Sequence, residues 1–363
     1  MAIKEKEIYL DNFFGVDCKP DQRDSEISEF EKKLIESYLE NIFSNIEHFE
    51  SEIELISSNF FYESYSLLIE GQKYLLKISL DPDNRSLSTE KKALDSVSDL
   101  ISSKVINYEN DKDSGIEFLL VSWENGENFD SFGVDELLYN LGTFVCNLDF
   151  MHESNCSELI SFEEKFSENE SIIEILDSSD EIEKSIFAKL VDLNEDDIKH
   201  IFSILKNIFE ERYSEDITVL CHSNLKKSNI LYQSEYIKFI NFERSHKADI
   251  YYSLTKVINN LGLFKSAKKV SAFLRKYHSV SKLVNHLSVE EFLAKYEEKK
   301  ETNRLLLFQD ILHRVLFHFG AYGAFFKLED LARYTDLYNN LRPTVQKYFQ
   351  DYIKGLDKLF YTC

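Results

Sequence analysis

The sequence of 363 residues is poor in the features that cross-link or anchor a chain. Its five cysteines form no CxxC pair and their number is odd, so a disulfide framework or a structural zinc site is not expected. The opening stretch MAIKEKEIYLDNFFG lacks the apolar core of a signal peptide, and no apolar run approaches the roughly 18 residues that span a bilayer. These absences predict a cytoplasmic protein without a membrane anchor.

Residues that interrupt regular structure are also scarce. Only 3 prolines and 10 glycines occur, and we find neither an internal repeat nor a low-complexity linker. Hydrophobic residues make up 43% of the chain and aromatic residues 14%, which is enough for a sizeable core. The length suits two domains or one large unit with two lobes.

Basic residues are much fewer than acidic residues. The 42 lysines and arginines face 65 acidic residues, so the net charge is -23. Such a surface repels nucleic acid and anionic membranes, and it favours cationic ligands or partners. The acidity also has a simpler use, since a high net charge keeps a protein soluble.

Hydrophobic periodicity divides the chain into three parts. Residues 1–50 form an extension with one amphipathic helix, in which apolar side chains recur every three to four positions. Residues 51–123 contain strand-like runs, a hairpin turn at Glu70-Gly71-Gln72 and one helix. Residues 124–363 are mostly helical, with short strands within 219–254. The pattern predicts an α+β fold with a small antiparallel sheet lobe and a larger helical lobe.

A lysine and a glutamate have the spacing of a phosphate-binding ion pair. Lys77 lies on a predicted inner strand, and Glu90 follows 13 positions later on the next predicted helix. Phosphoryl transfer uses such a pair to position nucleotide phosphates. A surface salt bridge would give the same pattern, so the pair carries weight only together with other motifs.

The stretch HSNLKKSNIL is more specific. It has the length and order of the kinase catalytic loop H-x-D-L-x-x-x-N, with His222 as its histidine and Asn224 at the catalytic aspartate position. Asn229 takes the metal-ligand position of that loop. The stretch FINFE follows, with Asn241 where a strand would deliver a second metal-binding carboxylate. A hairpin with two asparagines in its turns is the alternative.

These motifs resemble the aminoglycoside phosphotransferase and choline kinase superfamily, from about residue 53 to residue 254. GIEFLLVSWENGENF is similar to its linker between lobes, and Met151-His152 to the end of its long helix. ADIYYSL is similar to its G-D-P-x-x-D-L segment, keeping Asp249 but carrying Ser253 at the later aspartate. The 70 positions from His152 to His222 leave room for the helical insertion of this group, which protein kinases lack.

The resemblance implies a bilobal, protein-kinase-like fold with ATP and Mg²⁺ as cofactors. The covering turn over the phosphates would fall in ISSNFFYES, where Ser57, Ser58 and Asn59 could present backbone amides although no glycine is present. Trp123 ends the linker strand, where it could lie beside a nucleotide base or simply pack. The acceptor in this group is often an amine-bearing alcohol, and some members resemble kinases that act on peptides alongside a partner enzyme.

Two carboxylates are missing where charge is required. An amide at Asn224 can accept a hydrogen bond but cannot take a proton, and general-base help is typically worth about 10²–10⁴-fold in rate. An amide at Asn241 offers Mg²⁺ an oxygen without negative charge. We therefore expect weakened cofactor binding and weakened or lost phosphotransfer.

Three interpretations follow. The first is a pseudokinase that binds a nucleotide, a peptide or a cationic small molecule in the cleft between lobes. The second is an active phosphotransferase in which Glu243 or Asp249 supplies the missing charge, although a structural or solvated role is the commoner use of such an acid. The third is that the asparagines were introduced to trap a complex.

Overall fold

The computed structural model describes ten parts of the chain, which together contain ten strands and six helices. The described residues are 27, 29–43, 52–58, 62–79, 86–111, 116–128, 140–161, 217–233, 236–300 and 303. Most of the helical region predicted over residues 153–200, and the helices predicted beyond residue 304, lie outside the described residues. No helix among the described residues is both long enough and apolar enough to cross a membrane.

A five-stranded antiparallel sheet forms the N-terminal part of the fold. Its order is β1-β2-β3-β5-β4, with β1 at Glu52–Ser58, β2 at Glu63–Ile69, β3 at Gln72–Ser79, β4 at Val105–Asp111 and β5 at Ile116–Ser122. The predicted hairpin turn is confirmed, because Glu70 and Gly71 join β2 to β3 with φ of 50° and 77°. Positive φ at both central residues matches the twist of the two strands.

Helix α1, Glu29–Ile42, covers one face of this sheet. Ile35, Tyr38 and Leu39 join a buried cluster with alternate residues of the strands, among them Leu76 and Ile78 of β3. The Tyr38 ring stacks on Phe118 of β5 with 4.2 Å between ring centroids. The helix of the predicted extension is therefore part of the sheet's hydrophobic core.

Alternation along β3 turns Lys77 to the other face of the sheet, because successive side chains of a strand point in opposite directions. Helix α2, Ser86–Ser96, contributes Glu90 to the same interior. The single helix predicted within residues 51–123 is confirmed, and it lies between β3 and β4.

The remaining described elements are short strands and helices. The strands are β6 at Glu127–Asn128, β7 at Thr218–Cys221, β8 at Ile230–Gln233, β9 at Tyr236–Phe239 and β10 at His246–Asp249, arranged as sheets β6-β8-β9 and β10-β7. The helices are α3 at Leu141–His152, α4 at Ile250–Asn260, α5 at Ala267–Val280 and α6 over residues 289–300. The strands predicted around residues 217–242 are confirmed.

The chain divides into two compact units. The first takes its described residues from Met1–Leu159, Val219–Ala248 and Val257–Val289. It contains the five-stranded sheet, and its helices α3 and α5 pack against each other. The second unit takes its described residues from Ile160–Thr218, Asp249–Lys256 and Glu290–Cys363. Lys77, Glu90, Asn224, Asn229 and Asn241 lie in the first unit, whereas Asp249 lies in the second.

Candidate functional site

The structure brings Lys77 and Glu90 together as a buried ion pair. The Nζ of Lys77 lies 2.8 Å from Oε1 and 2.7 Å from Oε2 of Glu90, and only 1% of Lys77 is exposed. Strand β3 lies between β2 and β5, so the lysine projects from the interior of the sheet. The backbone N–H of Phe242 also donates to Glu90 Oε1, at 3.3 Å, which ties helix α2 to the segment after β9.

The ammonium of Lys77 stays charged despite its burial. Burial alone would lower the pKa of Lys77, but the charge and hydrogen bonds of Glu90, together with Tyr62 and Glu243, outweigh burial, so this pKa lies above its ordinary value. The ring of Tyr62 covers the ammonium, with 4.8 Å between Nζ and the ring centroid, and an aromatic face attracts a cation. Burial in turn raises the pKa of Tyr62, so its phenol stays neutral.

The catalytic-loop segment connects β7 to β8. His222 follows β7, and its Nε2 donates to the carbonyl of Ile240 at 2.9 Å. Its Nδ1 then accepts from the backbone N–H of Asn224, at 3.3 Å. Burial lowers the pKa of His222 to about 4, so the ring is neutral and holds the loop through both nitrogens.

Ser223 gives the loop its sharp bend. Its φ is 63°, a left-handed conformation that is uncommon outside glycine, asparagine and aspartate. The Oγ of Ser223 lies 2.7 Å from Nδ1 of His246 on β10, which holds the bend in place. The bend turns Asn224 away from the line of β7.

Three asparagines and one lysine form a continuous chain of hydrogen bonds. Lys77 Nζ donates to Asn241 Oδ1 at 2.9 Å, and Asn241 Nδ2 donates to Asn229 Oδ1 at 2.8 Å. Asn229 Nδ2 then donates to the backbone carbonyl of Asn224 at 2.7 Å. The structure thus assembles the four predicted positions 77, 224, 229 and 241 in one place. We call Lys77, Asn241, Asn229 and the Asn224 carbonyl the amide relay.

The direction of the amide relay is fixed by its two ends. An ammonium can only donate, so Asn241 must turn its oxygen to Lys77 and its nitrogen to Asn229. A backbone carbonyl can only accept, so Asn229 must turn its nitrogen to Asn224 and its oxygen to Asn241. Asn241 reaches this position with φ of 63°, which asparagine tolerates better than most residues. The amide relay therefore requires a donor as well as an acceptor at position 241.

Glu243 is the acid next to the catalytic position. Its Oε1 accepts from Asn224 Nδ2 at 3.3 Å, while its buried Oε2 has no hydrogen-bond partner among the described residues. Asp249, the other acid considered from the sequence, caps helix α4 by accepting from the N–H groups of Tyr251 and Tyr252. Burial raises the pKa of Asp249 to about 6.

The other predicted cofactor residues are placed less centrally. Ser57 lies within β1, opposite Ser64 of β2, and Ser58 ends that strand, so neither belongs to the tip of the turn. Asn59 lies outside the described residues. Trp123 follows β5, and the Lys73 ammonium lies over its ring in a cation–π contact, with 3.9 Å from Nζ to the ring centroid.

No sequence motif indicated two features of the site. Tyr62 lies three positions from Asn59, the nearest quoted site residue, but its ring covers Lys77, which lies 15 positions away in the sequence. Lys238 on β9 bonds Glu124 of the linker at 2.7 Å and the carbonyls of Asp99 and Ser102 at 2.9 and 3.1 Å. These contacts are long-range in sequence, and only the fold reveals them.

The donor set fits Mg²⁺ poorly. Within the described parts of the chain, no group of three or more histidine, cysteine, aspartate or glutamate side chains is placed to hold a metal ion. The oxygens of Asn229 and Asn241 face hydrogen-bond donors instead of a common point. Mg²⁺ prefers charged oxygens in near-octahedral geometry, so this arrangement does not offer its usual ligands.

Comparisons with solved structures identify the fold. Choline kinase LicA from Streptococcus pneumoniae is 16% identical, with a TM-score of 0.58 over 90% of this chain and 99% of that one. Amicoumacin kinase hAmiN, solved with AMP-PNP, Ca²⁺ and Ami, is 15% identical, with a TM-score of 0.55 over 88% and 96%. Aminoglycoside phosphotransferase APH(4)-Ia is 13% identical, with a TM-score of 0.54 over 86% and 99%.

These similarities place the chain in the α+β, protein-kinase-like class. No curated protein matches the sequence. The family model described as "Phosphotransferase enzyme family" matches residues 52–292, which include every residue of the amide relay. The chain therefore belongs to the APH phosphotransferase enzyme family.

Proposed function

We propose that the protein is a pseudokinase: a binding protein with a kinase-like fold in which phosphotransfer is lost or strongly weakened. The observation that carries this proposal is the amide relay. Neutral amides stand at positions 224 and 241, where the chemistry needs carboxylates: the Asn241 amide bonds Lys77 and Asn229, and the Asn224 side chain donates to Glu243 while its backbone carbonyl ends the relay. In this proposal residues 51–123 and 219–248, which belong to one unit, supply the two sides of a nucleotide-type site.

Loss of the base is the first supporting argument. The Asn224 side chain donates its Nδ2 to Glu243 and cannot remove a proton from an acceptor hydroxyl. A positioned general base contributes about 10²–10⁴-fold to the rate. An acceptor hydroxyl at Asn224 would therefore react slowly even if it were well oriented.

Loss of the metal ligand is the second supporting argument. Relatives include hAmiN, solved with AMP-PNP and Ca²⁺, so a nucleotide with a divalent cation is the cofactor that the family suggests. In this chain the oxygen of Asn241 already accepts from a cationic lysine, and that of Asn229 accepts from Asn241. No step through a metal ion is assigned to these residues.

The ligand in the proposal is a nucleotide, a peptide or a cationic small molecule. The buried pair of Lys77 and Glu90 supports the nucleotide, because it is the phosphate-positioning pair of this chemistry. The net charge of -23 supports a cationic group beside Glu243, as does the Glu243 Oε2, which no described residue bonds. A protein partner would fit the same proposal. Three described cysteines are unpaired, which agrees with a cytoplasmic location.

Glu243 supports a second candidate, an active ATP-dependent phosphotransferase acting on a hydroxyl of an aminoglycoside, a choline-like molecule or a peptide. Its carboxylate lies 3.3 Å from the Asn224 amide, within one hydrogen bond of the position where a base would act. Its Oε2 has no hydrogen-bond partner in the described part of the chain and in this candidate accepts the proton. In this candidate Glu243 replaces the missing base.

A phosphotransfer assay separates the two. The wild-type protein is incubated with ATP and Mg²⁺ and with choline, ethanolamine, hygromycin B or water as acceptor, beside Asn224→Asp/Asn241→Asp and Glu243→Gln. We expect no wild-type turnover above background and a gain in the double variant. Wild-type turnover at ordinary enzyme rates, about 1–10³ s⁻¹, that is lost in Glu243→Gln would replace the pseudokinase with the second candidate.

A further inference from the structure

The amide relay also predicts how a nucleotide would bind, and this inference rests on the nucleotide-binding part of the proposed function. We infer that the site at Lys77 takes the phosphate groups of a nucleoside diphosphate or triphosphate without a divalent metal, with the Lys77 ammonium serving as the cation of the site. The ligand class is thus a metal-free nucleotide polyanion.

A metal would have to dismantle the amide relay. For Asn241 and Asn229 to ligate one ion, both oxygens must turn to a common point, which disturbs all three hydrogen bonds from Lys77 to the Asn224 carbonyl. If Asn241 kept its bond to Lys77, a dication on the same oxygen would sit close to the ammonium and be repelled by it. Neither amide brings a negative charge to offset that repulsion.

A phosphate oxygen would disturb only one of these bonds. The ammonium of Lys77 has three protons, two of which serve Glu90 and one of which serves Asn241 Oδ1. A phosphate oxygen can take the place of Asn241 Oδ1 while both bonds to Glu90 remain. The bond between Asn241 and Asn229 and the bond between Asn229 and Asn224 also remain. The two ligands therefore differ in the number of contacts that they must break.

Charge favours the same outcome. Two aspartates at positions 224 and 241 would add two negative charges beside the phosphates, and a divalent cation would offset them. The two asparagines remove those charges, so the phosphates no longer need a metal between themselves and the site. The Tyr62 ring faces the ammonium and supports its charge during this exchange.

Calorimetric titration with ADP and with AMP-PNP tests the inference, each with EDTA and with Mg²⁺. For the wild-type protein we expect dissociation constants that agree within about twofold in the two buffers. Asn241→Asp places a carboxylate between Lys77 and Asn229, so its affinity with Mg²⁺ should exceed that with EDTA at least tenfold. Asn155→Asp adds the same charge at an exposed residue outside the relay and should behave like wild type.

Each outcome decides something different. Wild-type binding that needs Mg²⁺ would overturn the metal-free inference and leave nucleotide binding intact. Failure to bind either nucleotide in either buffer would remove the nucleotide from the proposed function and the inference with it. The wild-type titrations decide the inference even if Asn241→Asp does not fold, and circular dichroism of both variants shows whether it does.

Discussion

At the residue scale, the difference between an amide and a carboxylate dominates the site. An ionised aspartate at position 241 could accept from Lys77 but could not donate to Asn229. Asn229 would then have to turn its nitrogen to position 241 and lose its bond to the Asn224 carbonyl. Asn241 therefore uses both its oxygen and its nitrogen in hydrogen bonds, and its orientation determines that of Asn229.

Removing one partner of the Lys77–Glu90 ion pair should strongly destabilise the folded protein. Lys77→Met would leave the Glu90 carboxylate buried, and removing one partner of such a pair typically costs about 3–5 kcal/mol in free energy of unfolding. The double variant Lys77→Met/Glu90→Gln should recover part of that loss, because no uncompensated charge remains. Urea unfolding of the three proteins measures this. A single-variant cost below about 1 kcal/mol, as for exposed pairs, would contradict the burial of the pair.

His152 should make the protein sensitive to acid. Its Nδ1 lies 2.6 Å from the Tyr277 hydroxyl, and burial lowers the pKa of His152 from 6.5 to about 3. Below pH 6.5 the unfolded chain therefore binds a proton that the native state does not, so the free energy of unfolding falls as pH falls. The loss for this one group is roughly 2 kcal/mol between about pH 7 and pH 5.

The variant His152→Asn isolates that contribution. It should be less stable than wild type at neutral pH, yet lose less stability on acidification. Urea unfolding of both proteins at each pH gives the comparison. Equal losses in the two proteins would assign the acid sensitivity to other groups, such as His222, whose pKa is also lowered by burial.

At the scale of elements, helix α1 shows how far periodicity predicts and where it stops. The three-to-four residue repeat correctly predicted a helix within residues 1–50, and the structure has it at Glu29–Ile42. The same repeat described it as an extension, because an amphipathic pattern does not name the surface that covers it. In the structure that surface is the face of the sheet opposite Lys77.

Because α1 belongs to the core of the sheet, Leu39→Ala should cost about 2–5 kcal/mol in free energy of unfolding, as for other buried leucines. Glu40→Ala, at the next and exposed position of the same helix, should change it by less than about 0.5 kcal/mol. Chemical denaturation measures both. Similar small effects from the two variants would mean that the helix is dispensable to the sheet.

The strands, like helix α1, were predicted correctly from the spacing of their apolar residues. Runs such as QKYLLKIS alternate or are continuously apolar between turn residues, and the structure has strands at these places. The predicted covering turn stays a prediction, because Ser57 and Ser58 pair with β2 as part of β1 while Asn59 lies outside the described residues. Backbone pairing decides where a turn begins, and it depends on the partner strand.

At the scale of the whole molecule, the net charge of -23 is the feature with a measurable consequence. Like charges repel one another across a folded surface and destabilise the compact state. Raising the salt concentration from about 20 mM to about 300 mM shortens the Debye length severalfold, so the midpoint of thermal unfolding should rise. Differential scanning calorimetry with sodium chloride tests this, and a midpoint that falls would show that stabilising ion pairs outweigh the repulsion.

The sequence by itself determined the family, the α+β class and the identity of the side chains at positions 77, 90, 224, 229 and 241. Those properties reside in local spacing and periodicity, which a linear chain carries in full. Only the tertiary structure decided that the Asn241 and Asn229 amides bond each other, that Glu243 lies beside Asn224, and that Tyr62 covers Lys77. Such contacts join residues far apart in the chain, and their direction depends on which donors and acceptors the fold brings face to face.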